Sequence, residues 1–192
     1  MHGIGHGQAV EVPYISQRTF RSATVQGPDG SVPLHALVSA VSIEEITRRF
    51  GEATTIKRYS GPDGESFGAD LPYEGDAILR YLPSKDGETV VLQHIRLCSP
   101  DWSLKVGSKV LRPGMPSSQL SSTVRRSLEE MSNPNQDADT SVRIAVAKPG
   151  AKSAAGEADL VQAGLTNIMV YVDRDTEIVR EVTFVRRPAA AW

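Results

Sequence analysis

A helix signature followed by three strand signatures occurs twice along the chain, over about 42–98 and again over about 115–187. In the first, Ser42-Ile43-Glu44-Glu45 is a capping box: the serine oxygen accepts from the backbone N–H three residues on, and Glu45 reaches back. Ile43, Ile46 and Phe50 share one helical face, Arg48 and Arg49 sit in the last turn where the dipole favours cations, and Gly51 closes the helix. Strands are expected at Thr54–Tyr59, Asp76–Leu82 and Glu88–Leu97, the last two joined by the turn-rich stretch 83–87. In the second, Pro116 opens a helix over Ser117–Met131 in which Leu120, Val124, Leu128 and Met131 keep helical spacing. Ser141–Val146 then alternates with period two, and Asn167–Val172 and Ile178–Val185 flank 173–177 as a closing hairpin.

Ahead of these units, Thr19–Val25 and Val32–Val38 flank Gly27-Pro28-Asp29-Gly30, a turn whose proline presets φ and whose glycines supply unusual dihedrals. The expectation is therefore an α+β protein: an N-terminal β-hairpin over 1–40, then two similar helix-on-antiparallel-sheet halves in tandem, over 41–98 and 99–192. The chain has 192 residues and 40% hydrophobic side chains, enough to bury a core without staples. Its formal charge of −2 divides into −3 over 1–98 and +1 over 99–192, and neither half has the basic field of a nucleic-acid binder. No apolar run approaches the roughly 18 residues of a membrane span. Cys98 stands alone, so neither a disulfide nor a cysteine-based zinc site is expected. The start Met1-His2-Gly3-Ile4-Gly5-His6-Gly7 has no basic or apolar leader region. As written, the chain is expected in the cytoplasm, or in the periplasm if a leader has been removed.

Signs of catalysis are weak. Gly64-Glu65-Ser66-Phe67-Gly68 spells the nucleophile elbow of α/β-hydrolases, but that elbow needs a buried strand before it and a helix after it. A polar loop precedes the motif and Leu71-Pro72 follows. His2 and His6 are able to chelate a metal, but read as an incidental terminal pair. His35 and His94 fall on expected strands without carboxylates at ligand spacing, and Cys98 has no base nearby to lower its pKa. Trp102 reads as a packing wedge between the halves. No cofactor, metal or catalytic residue is assigned.

The segment Ser60–Gly75 holds Asp63, Glu65, Asp70 and Glu74, with Asp76 just beyond, no basic residue, and Phe67 and Tyr73 between. Read as one long loop, it is either a solvated acidic surface or a functional element. In the functional reading, Phe67 and Tyr73 anchor a basic, concave protein surface while Asp63, Glu65, Asp70, Glu74 and Asp76 steer the encounter. Calcium is a second reading, without the EF-hand spacing.

The recurring order, with Phe50-Gly51-Glu52-Ala53 after the first helix, Gly114-Met115 at the second and the hairpin Ile168–Phe184, resembles the small α+β modules of the BamE/SmpA outer-membrane assembly lipoproteins. Two such units in tandem also resemble β-lactamase inhibitory proteins and several bacterial toxin immunity proteins. Pro116 stands where the family usually has a polar helix cap, Ala53 where it often has proline, and no lipobox is present. The resemblance implies a protein that binds partners and does not catalyse. The leading expectation is an inhibitor or immunity-type protein that neutralises a bacterial toxin or enzyme by occlusion. The alternatives are an envelope assembly or scaffold protein of the BamE/SmpA type, and an enzyme of unrecognised type.

Overall fold

Alternation of buried and exposed side chains dominates the architecture. The computed structural model describes residues 13–38, 42–60, 66–73, 76–83, 89–131, 140–146 and 166–186. Its strands are β1 (Tyr14–Ile15), β2 (Thr24–Gly27), β3 (Gly30–Pro33), β4 (Lys57–Ser60), β5 (Ser66–Tyr73) and β6 (Ala77–Pro83). They continue with β7 (Val90–Leu97), β8 (Ser103–Val106), β9 (Lys109–Leu111), β10 (Thr140–Val146), β11 (Thr166–Val172) and β12 (Val179–Arg186). Among the described residues, four short helices accompany them: α1 (Gln17–Arg21), α2 (Leu34–Val38), α3 (Ile43–Phe50) and α4 (Ser122–Met131), the last preceded by a 3-10 turn at Ser117–Gln119.

Eight strands form one sheet in the order β1-β10-β11-β12-β7-β6-β5-β4, antiparallel except for the β1–β10 pair. A second sheet, β3-β2-β8-β9, holds the remaining four. On the inner face of the large sheet, Leu71, Leu79, Ile95, Leu97, Val182 and Phe184 are buried. Phe20 of α1 stacks on Phe184, with ring centroids 5.9 Å apart. Phe50 of α3, Tyr73 of β5 and Trp102 before β8 form one aromatic cluster. The small sheet and the helices thus share one core with the large sheet. Among the described residues, no helix is long and apolar enough to cross a membrane.

The expected pair of helix-on-sheet halves is not what the chain forms. The two sets of strands join through β7 and β12, with Val182 opposite Leu97 and Phe184 opposite Ile95, and make a single sheet. Each set leaves an unpaired edge whose inward residues are apolar, so pairing edge to edge satisfies the backbone and extends one core. The helices are too short to cover separate sheets: α3, at eight residues, is only about 12 Å long. Its backbone lies nearest β3, and only Phe50 at its C-terminal end is seen to reach across to Tyr73 of β5. The result is a mostly β protein.

Local expectations fared unevenly. Ser42 Oγ accepts from the N–H of Glu45 at 3.2 Å and α3 ends at Gly51, whose φ is 80°. Glu45, expected to reach back to the cap, is instead taken by Arg48 and Arg49. The hairpin around Pro28-Asp29 is present as β2–β3, but Thr19–Arg21 and Leu34–Val38 on either side are helical. Ser16 caps α1 by accepting from the N–H of Thr19, which ends the strand reading there, and His35 accordingly lies on a helix. Leu120, Val124 and Leu128 are buried as their spacing required, although the helix starts only at Ser122.

Candidate functional site

The acidic segment is not one loop. Ser66–Tyr73 is strand β5, paired with β4 on one side and β6 on the other. Ala69, Leu71 and Tyr73 alternate inward, and Pro72, opposite Ile78 and beyond the end of β4, gives its carbonyl to the N–H of Thr54 at 2.7 Å. Tyr73 is therefore a core residue and not a surface anchor. Burial pushes its hydroxyl up to about 12. Asp76 is exposed, at a φ of 57°, where the chain turns into β6. Phe67 lies in β5, with its side chain outside the described set, and Asp63, Glu65 and Glu74 lie outside the described residues. The same holds for His2, His6 and Trp192.

Asp70 points the other way, onto the outer face of the large sheet. Its carboxylate is buried under Arg80, whose Nε and Nη2 donate to Oδ1 and Oδ2 at 2.7 and 2.9 Å. Cross-strand register places His94 of β7 opposite Arg80, and Val185 of β12 opposite His94. One step along, Arg96 donates to Glu181 Oε2 at 3.0 Å, and Thr183 Oγ1 donates to Glu181 Oε1 at 2.8 Å. Partly buried Ile78, Met169, Tyr171 and Val185 fill the spaces between these pairs. Helices and small sheet lie against the inner face, so this outer face has no described element packed over it.

Two groups with reactive potential, Cys98 and His94, sit in this face. Cys98 Sγ donates to Glu181 Oε2 at 3.6 Å; burial first, then the neighbouring carboxylate, raises the thiol's pKa and keeps it protonated. His94 is shifted the other way, downwards, chiefly by burial and then by Arg80. Ser66 starts a strand, whereas a nucleophile elbow ends one. Among the described residues no three His, Cys, Asp or Glu side chains gather as a metal site.

No family model matches the chain, and no curated protein matches it. Among solved structures, a cysteine-rich secretory protein from Staphylococcus aureus subsp. aureus Mu50 aligns with 84% of this chain at 15% identity and a TM-score of 0.38. The chain spans 49% of that protein's length. So distant a likeness transfers neither fold nor function.

Sequence reading found Asp70 but not its partner Arg80, and it passed over Glu181, Met169 and Tyr171 as ordinary strand residues. The available signal was the polar half of each period-two pattern: Asp70 in β5, Arg80 in β6, His94 and Arg96 in β7, Glu181 and Thr183 in β12.

Proposed function

We propose that this chain is a non-catalytic protein-binding module that uses the outer face of its eight-stranded sheet, acting as an inhibitor or immunity-type protein that occludes a toxin or enzyme. The observation that carries this reading is the composition of that face. Apolar Ile78, Met169, Tyr171 and Val185 alternate with the Asp70–Arg80 and Arg96–Glu181 pairs, which is the mixture of a non-obligate protein interface. Its six central strands, at about 4.8 Å spacing and about 3.4 Å per residue, present on the order of 600 Å² in projection. That is of the order of the ~800 Å² that each partner contributes to a standard interface. Tyr171 and Met169 are the natural anchors, because aromatic side chains and methionine are enriched in interface cores.

The test compares the wild-type chain with a Met169→Glu/Tyr171→Glu variant as baits for partners from the source organism. The expected result is one stoichiometric partner, lost with the variant, whose isolated activity falls at a 1:1 ratio of the wild-type chain. A partner held equally by both baits would overturn the sheet-face reading. A partner without any activity to inhibit, drawn from the envelope fraction, would replace inhibition by a scaffold role.

A further inference from the structure

On the opposite side of the large sheet from the proposed interface, a cavity of about 300 Å³ opens between the two sheets and α4. Ile144 and Ile168 form its floor, Val106 and Leu111 one wall, and Leu120 and Val124 another. Tyr14 and Val110 stand at its mouth, 47% and 42% exposed. Among the described residues these are two of the three exposed large hydrophobic side chains, so exposed apolar surface concentrates at this opening. Lys109 is the charged side chain among those lining the cavity, and Gln119, Ser121 and Thr123, before and at the start of α4, add polar groups to the lining.

We propose that this cavity binds a single-chain anionic amphiphile, an alkyl carboxylate of about ten carbons, with its tail on Ile144 and Ile168 and its headgroup at Lys109. Size, lining and charge each limit the choice. The volume lies at the lower end of the range for small-molecule sites, ~300–1,000 Å³. An apolar cavity of about 150 Å³ takes benzene, so twice that volume takes roughly a dozen heavy atoms, the size of decanoate. The side chains of the six wall and floor residues offer no hydrogen bond to a polar tail, whereas Lys109, Ser121 and Thr123 elsewhere in the lining carry an ammonium and hydroxyl groups. A headgroup at Lys109 is therefore anionic, and the rest of the ligand apolar. This inference does not depend on the outer sheet face, and neither stands or falls with the other.

The test titrates decanoate, below its micelle concentration, into the full chain with labelled Ile, Leu and Val methyl groups observed by NMR. Saturable shifts confined to the Ile, Leu and Val methyl groups that line the cavity are expected. Decanol should bind about three-fold or more weakly, and Lys109→Gln should remove the preference for the carboxylate. Val110→Asp, at an exposed position where folding is safe, should lower decanoate affinity at least ten-fold. Val124→Phe fills the space and should abolish the shifts. No saturable shift in the wild-type chain would overturn the proposal, as would equal affinity for decanoate in Val110→Asp. Methyl shifts that follow protein concentration without decanoate would mean that a second copy fills the mouth, and would overturn it too.

Discussion

Arg80 on β6 covers the buried carboxylate of Asp70 on β5 with two parallel hydrogen bonds, a forked arrangement that a lysine cannot reproduce. Half of this pair faces water, since the arginine side chain is 45% exposed and the aspartate 9%. Arg80→Ala should therefore cost about 1–2 kcal/mol, less than the loss of a partner from a fully buried pair. Arg80→Lys should recover only part of it. Urea unfolding of the two variants measures both, and a cost near zero for Arg80→Ala would show that the pair contributes only solvent-screened attraction.

Two glycines hold the second sheet against its neighbours. A Cβ on Gly27 would come within 2.7 Å of the buried Trp102 ring, and one on Gly30 within 2.5 Å of the Arg49 carbonyl oxygen of α3. The first contact displaces a packed aromatic, the second a backbone atom. Each alanine substitution should destabilise by about 1–3 kcal/mol, with Gly30→Ala the more costly because backbone yields less than a side chain. Gly27→Ala should also shift the tryptophan emission, as the Trp102 ring moves out of contact with Phe50 and Tyr73.

The elements legible in the sequence are those whose signals are local. The Ser42 cap of α3, the Pro28-Asp29 turn and the alternation in β10, β11 and β12 each lie within a few residues. What could not be read was pairing at a distance. Nothing near residue 97 announces that β7 pairs with β12, or that β8, after Trp102, lies beside β2 to build a second sheet. Helices α1 and α2, at five residues each, are shorter than any periodic window. β5 was concealed because Gly68 and Pro72 interrupt the strand-like alternation of Ala69, Leu71 and Tyr73. That concealment misled the site reading as well: Asp70 and Tyr73 were grouped as neighbours on a loop, while the pleat sends one to the outer face and the other to the core.

Tyr81 tests how the core treats polar atoms. Its ring is fully buried, and among the described residues its hydroxyl has no hydrogen-bond partner. Burial, then the nearby Tyr73, raises that hydroxyl's pKa well above the ordinary tyrosine value. Removing an unpaired buried hydroxyl removes its desolvation penalty. Tyr81→Phe should thus be neutral or stabilise by up to about 1 kcal/mol in thermal or urea unfolding. A loss above about 1 kcal/mol would reveal a partner for that hydroxyl.

His94 makes the outer face sensitive to pH. Burial lowers its pKa below the ordinary 6.5, Arg80 and Arg96 push it further down, and Glu181 and Asp70 oppose them. The unfolded chain therefore binds the imidazole proton more readily than the folded chain does. His94 contributes stability that is fully present above about pH 6.5 and is lost as pH falls through the depressed folded value. Glu45 and Asp173, also depressed, act in the same direction but only below their ordinary values of 4.5 and 3.8, so the two windows separate. Unfolding free energy measured from pH 7.5 to 5 should fall more steeply in the wild-type chain than in His94→Gln. Parallel curves would place the imidazole in an environment no different from water, and would mean that Arg80 and the surrounding sheet do not hold it in its neutral form.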